Sequence, residues 1–85
     1  MSGEQRQLDG NGVAALLEEL LGADATGLVR VCAGCGQRHA LGAHRAYRGA
    51  GWVLRCPGCA DVAVVIGVAE ERLTLQTRGT FAIPR

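Results

Sequence analysis

Val13, Leu16, Leu17, Leu20 and Leu21 recur at intervals of three and four residues. That period gathers them on one stripe of an α-helix and leaves Glu18 and Glu19 off it. The pattern predicts a helix over 10–22, with Asp9 or Asn11 as its N-cap and Gly22 as its stop. A helix of about eleven residues is marginal alone, so its leucines need a cover. The expected cover is the chain's own sheet; the alternative is a second copy or a partner's groove. Residues 1–8 are polar and aperiodic and read as a disordered tail, which leaves one domain over 9–84.

Beyond the helix the period shortens to two. Thr26 to Val31, Gln37 to Leu41, Ala43 to Arg48 and Trp52 to Leu54 read as strands, with a turn at Gly49-Ala50-Gly51. Val62 to Val68 is continuously apolar and β-branched, the mark of a central strand covered on both faces. Leu73, Leu75 and Thr77 alternate with Thr74, Gln76 and Arg78 as a half-exposed strand after the charged turn Ala69 to Arg72. Phe81 and Ile83 alternate once more before Pro84. The fold class is therefore α+β: an N-terminal helix on one small antiparallel sheet of five or six strands.

The cysteines sharpen this picture. All four lie in Cys32-Ala33-Gly34-Cys35 and Cys56-Pro57-Gly58-Cys59, with twenty residues between Cys35 and Cys56. Two residues between cysteines let one tight turn aim both sulfurs at one ion, and two such turns supply a tetrahedral thiolate set. Gly36 suits the positive φ that follows the first pair; Ala60 stands at the matching place after the second. The expected ion is Zn2+, held by Cys32, Cys35, Cys56 and Cys59 at one end of the sheet. Iron is the alternative, since the same thiolates bind it. Disulfides fit poorly with a chain that shows no signal peptide, and a thioredoxin-like motif needs a helix after its CxxC. A structural zinc site is worth roughly 10–16 kcal/mol, and so short a chain leans on such a staple. Metal removal is expected to unfold at least this half of the protein.

Composition narrows the function. No apolar run reaches the roughly 18–20 residues of a membrane-spanning helix, so a cytoplasmic protein is expected. Charge is uneven although the net is +1. Residues 1–24 carry −4, while 25–60 hold Arg30, Arg38, Arg45, Arg48 and Arg55 without an acid. A four-thiolate zinc centre carries about −2, which these arginines offset. Arg38, Arg45, Arg48 and Arg55 are also the candidate partner-binding residues, for a protein or, less favoured, a nucleic acid. His39 and His44 read as surface or hairpin histidines rather than ligands. Trp52, Tyr47 and Phe81 read as core rather than as a stacking platform. No nucleophile–base set or paired-carboxylate pocket can be assembled, and a closed four-thiolate site leaves no position for water. The chain reads as a non-enzyme.

The turns C-A-G-C-G and R-C-P-G-C, within residues 32–59, resemble those of the zinc-ribbon superfamily. Across residues 8–83, the Leu8-Asp9-Gly10-Asn11 start, the leucine helix and the paired turns resemble a family of small proteins from high-GC Gram-positive bacteria. By gene context those relatives look like companions of redox enzymes. The resemblance implies a zinc-ribbon module that acts as an accessory or interaction subunit. An uncovered sheet edge or the leucine helix offers this chain a route to a homodimer. The turns also resemble those of rubredoxin, which implies an iron-based electron carrier; Ala60 in place of glycine and the lack of an aromatic-rich core depart from that pattern.

Overall fold

A computed structural model describes residues 7–84, with side chains from Gly12 onward. The helix α1 runs Ala14–Leu21 and follows a 3-10 turn over Gly10–Val13. This corrects the expected start: Val13 is the N-cap, and it makes no side-chain capping bond. Asp9 instead ends a first strand, β1, Gln7–Asp9. Most of the tail expected over 1–8 lies outside the described residues, but Gln7 and Leu8 belong to this strand and pair with Tyr47 and Ala46. At the other end, the Gly22 N–H donates to Glu18 O at 2.9 Å and closes the helix.

The remaining strands are β2 Val29–Val31, β3 Arg38–Ala40, β4 Arg45–Arg48 and β5 Gly51–Arg55, then β6 Val62–Val68, β7 Leu73–Thr77 and β8 Thr80–Ala82. They form two antiparallel sheets rather than the single one expected: a five-stranded sheet in the order β1-β4-β5-β6-β7 and a three-stranded sheet β3-β2-β8. Thr26 and Gly27, expected to open a strand, belong instead to a 3-10 turn over Ala25–Gly27. The chain passes from β7 into β8, and so from one sheet to the other, through Arg78 and Gly79. Gly79 has φ +90, and a Cβ there would press on Val31 O and on the Arg30 guanidinium. Only a residue without a side chain fits that bend.

The core lies on one face of the larger sheet. Ala46, Leu54, Val64 and Ile66 come from β4, β5 and β6 and meet Val13 and Leu17 from the helix side and Leu41. Cross-strand register explains this face: Ala46 lies opposite Leu54, and Leu54 opposite Val64. The leucine stripe is thus covered within the chain, with Leu17 fully buried and Leu16, Leu20 and Leu21 packed around it. Val62–Val68 has the expected boundaries, but its second face is covered only in part, with Ala63 buried and Val65 half-buried. Trp52 and Phe81 pack partly buried against the core, whereas Ile83 is exposed.

Candidate metal centre

Each cysteine pair sits on a turn between two strands, and the turns belong to different sheets. Cys32 to Gln37 joins β2 and β3 of the smaller sheet; Cys56 to Asp61 joins β5 and β6 of the larger. The two turns have the same backbone. The Cys32 N–H donates to Gln37 O and the Cys56 N–H to Asp61 O, both at 2.9 Å. Gly36 N–H donates to Cys32 O and Ala60 N–H to Cys56 O. Gly34 N–H points at Cys32 Sγ at 3.3 Å, and Gly58 N–H at Cys56 Sγ at 3.4 Å. Gly36 has φ +76 and Ala60 φ +65. The alanine adopts the left-handed conformation that its glycine counterpart takes, at a cost of order 1 kcal/mol.

The turns also lock into one another. The Gln37 side chain lies over Gly58, and Asp61 lies over Gly34, so each CxxC carries a side chain from the opposite turn against its glycine. Gln37 is held in place by His39, whose Nε2 lies 3.1 Å from Gln37 Oε1. Asp61 is held by Arg78, which donates Nη1–H to Oδ1 at 3.2 Å.

This interlocking brings the four sulfurs within 4.8 Å of one another. Cys32 and Cys59 are 3.6 Å apart, and Cys35 and Cys56 3.7 Å. Those separations exclude covalent links of about 2.05 Å. They approach the edge, about 3.8 Å, of a tetrahedron with metal–sulfur arms near 2.3 Å. The four cysteines named from spacing alone thus converge on one site able to hold a single metal ion. Cys32 and Cys56 are buried while Cys35 and Cys59 are exposed.

The thiols are electrically poised for a cation. Cys32 falls from 9.0 to about 6; the Cys35 backbone lowers it most, burial opposes, and Gly34 and the Cys59 and Cys56 sulfurs help. Cys59 moves the other way, to about 12: the Asp61 backbone lowers it, but burial and the Cys32, Cys35 and Cys56 sulfurs together outweigh that. Cys35 is also raised; the Gln37 backbone lowers it, while burial and the Cys56 and Cys32 sulfurs raise it. One thiolate forms readily and the last is resisted by its neighbours. A bound cation lifts that resistance, so metal binding and proton release go together.

The candidate partner-binding arginines are divided between the two sheets. Arg38 lies on β3 opposite Val31, in the smaller sheet. Arg45 and Arg55 face each other across β4 and β5 of the larger. Arg55 donates Nη1–H to Ala60 O at 2.9 Å, and Arg48 stacks over Trp52 at 6.0 Å.

Two polar residues escaped the sequence reading. Arg30 is 1% exposed and His44 is fully buried, which corrects the expectation of a surface or hairpin histidine. Arg30 donates Nε–H to Arg78 O at 2.7 Å, and its Nη1 lies 3.4 Å from His44 Nε2. His44 Nδ1 lies 2.9 Å from Ala40 O, a pure acceptor, so Nδ1 carries the proton and Nε2 accepts from Arg30. Arg30 Nη2 is buried without a partner. Burial, then the Ala40 bond working against it and the Arg30 charge, leave the His44 pKa below its usual value and the ring neutral. The available signal was alternation in Val29-Arg30-Val31, which sets Arg30 on the face opposite its two valines.

Fold and site together define an α+β protein whose four cysteines clasp two sheets at one point. The chain belongs to DUF6510, a family of unknown function whose model matches residues 4–84. No curated protein and no solved structure matches it. No helix among the described residues is long and apolar enough to cross a membrane.

Proposed function

We propose that the four cysteines hold one zinc ion as a structural clasp, and that the protein is a non-enzymatic interaction module of the cytoplasm, an accessory subunit to another protein. The carrying observation is that the two cysteine turns sit on separate sheets, so one ion ties the sheets together. Four thiolates saturate zinc and leave no open position for a substrate or water. The zinc therefore serves shape, and shape in a small non-catalytic domain serves binding. The test is to purify the protein without added metal, determine the metal content, and compare partner capture by the wild type with that by Cys32→Ser. One zinc per chain, and a defined partner retained by the wild type alone, support the reading. Turnover of a substrate that requires the cysteines contradicts it.

An iron-based electron carrier is the second reading, and Ala60 favours it more than the sequence suggested. Ala60 takes the backbone conformation of Gly36, so the missing glycine does not distort the sulfur cage. The exposed Cys35 and Cys59 would give electrons a route to the surface. A red protein that cycles between two iron states supports this reading; a colourless one carrying zinc removes it.

A further inference from the structure

The smaller sheet and the far side of the larger one offer several strand edges, and they differ in how they are guarded. Edges are normally blunted by charge, proline or shortness. Strand β1 ends on Asp9, β3 carries Arg38 and His39, and β8 runs three residues before Ile83 and Pro84. Strand β7 has none of these devices. Leu73-Thr74-Leu75-Gln76-Thr77 is uncharged, and among the described residues it pairs only with β6.

Hydrogen-bond parity shows which groups face outward. The ladder to β6 is bonded at its ends by Ala69 N–H to Arg72 O and by Arg78 N–H to Ala63 O. The register has no shift between these ends, with Leu75 opposite Ile66 and Thr74 opposite Gly67. By the two-residue period, Arg72, Thr74 and Gln76 point their N–H and C=O groups at β6, as the Arg78 N–H does, while Arg78 O accepts from Arg30. Leu73, Leu75 and Thr77 point theirs away from the sheet. The Leu75 side chain shares the Ile66 face, the face that carries α1, and it is 36% exposed beside Val68 at 51%.

We propose that β7 pairs with β7 of a second copy, antiparallel and centred on Leu75, to make one continuous sheet through both chains. This takes the interaction-module reading a step further by naming a partner. In that register Leu75 faces Leu75 of the second copy, Leu73 faces its Thr77, and Thr74 faces its Gln76. All outward N–H and C=O groups of the three residues are satisfied, about six bonds in all. The two exposed leucines shield each other on the helix-bearing face. At the ends of the ladder Arg72 of one copy falls opposite Arg78 of the other; Asp61 already offsets the Arg78 charge, and Glu70 and Glu71 stand beside Arg72. A two-fold pairing also closes the assembly, because it consumes the one unguarded edge among the described residues of each chain.

Sedimentation equilibrium tests this on the full chain and its Leu75→Lys and Leu75→Glu variants. The wild type is expected to be a dimer. Each variant places like charges directly opposite and weakens the dimer at least about tenfold. An equimolar mixture of the two restores it, because lysine then faces glutamate. Circular dichroism and metal content guard against misfolding. Leu75→Pro is a second probe: it removes an outward N–H together with the exposed leucine, leaves the ladder to β6 intact and is expected to give a folded monomer. A monomeric wild type, a dimer that ignores Leu75→Lys, or folded variants that do not pair on mixing would each overturn the proposal. A monomer that still captures a distinct partner removes the dimer and keeps the module; a dimer without metal does the reverse for the zinc clasp.

Discussion

The two sheets are held by different forces. Three of the larger sheet's strands supply Ala46, Leu54, Val64 and Ile66, and these close on Leu17 from the helix. In the three-stranded sheet the one buried side chain is Arg30, a cation. A sheet without an apolar layer cannot hold by the hydrophobic effect alone. What fastens it is the pair of cysteine turns, the Arg30 bond to Arg78 O, and Phe81 against the core. The difference teaches that the smaller sheet depends on its cysteine turns where the larger depends on leucine and valine; under the proposed zinc clasp, metal binding does for one sheet what apolar packing does for the other.

Metal removal should break the comparison most sharply. Chelation, or Cys56→Ser, is expected to abolish amide-exchange protection in β2, β3 and β8 while β5 and β6 keep most of theirs. The lost binding energy, roughly 10–16 kcal/mol for sites of this kind, exceeds anything else fastening the smaller sheet. Uniform loss across both sheets would show that they share a single source of stability.

Leu17→Ala probes the other side. It hollows the core under the larger sheet and should cost about 2–5 kcal/mol in denaturant unfolding, with metal content unchanged. Arg30→Ala should cost less, about 2 kcal/mol, because it leaves Arg78 O and His44 Nε2 without a donor. Arg30→Met is the discriminating partner. It removes a buried guanidinium with an unpaired Nη2, and its stability should lie within about 1 kcal/mol of wild type.

Acid acts on the same junction. The His44 pKa lies below its usual 6.5, mainly through burial. Below pH 6.5 the unfolded chain takes up a proton that the folded chain refuses, so stability falls as pH drops from there toward the folded value. His44→Gln can keep both hydrogen bonds without titrating. Unfolding measured across that window should slope less in the variant than in wild type; equal slopes would place the acid sensitivity elsewhere.

The smallest effect belongs to the twin turns. Ala60→Gly relieves a left-handed alanine and should add up to about 1 kcal/mol, whereas Gly36→Ala should cost a similar amount. A Cβ at Gly36 meets nothing within 4 Å, so backbone conformation alone sets the sign. Thermal unfolding of the two variants against wild type gives the answer.

What could be read from the chain was whatever depends on neighbours in sequence. The leucine stripe, the cysteine spacing and the boundaries of Val62–Val68 and Leu73–Thr77 are local patterns with direct physical meaning. The division into two sheets is not local. It turns on β8 pairing with β2, roughly fifty residues earlier, after the bend at Gly79. Nothing in Thr80-Phe81-Ala82 names its partner. The burial of Arg30 was missed and His44 was misread for a related reason: a charged or titratable residue is ordinarily placed at the surface, and only the three-dimensional meeting of β2, Arg78 and Ala40 provides the bonds that let both be buried. Ala60 looked like a departure, yet its backbone takes the left-handed turn of its glycine counterpart Gly36.

Zinc K-edge absorption on protein purified without added metal tests the clasp most directly. The account predicts one zinc per chain in a shell of four sulfurs at about 2.3 Å, with no nitrogen or oxygen neighbour. A shell containing histidine or water, or a metal-free chain with its cysteines joined in pairs, would contradict it.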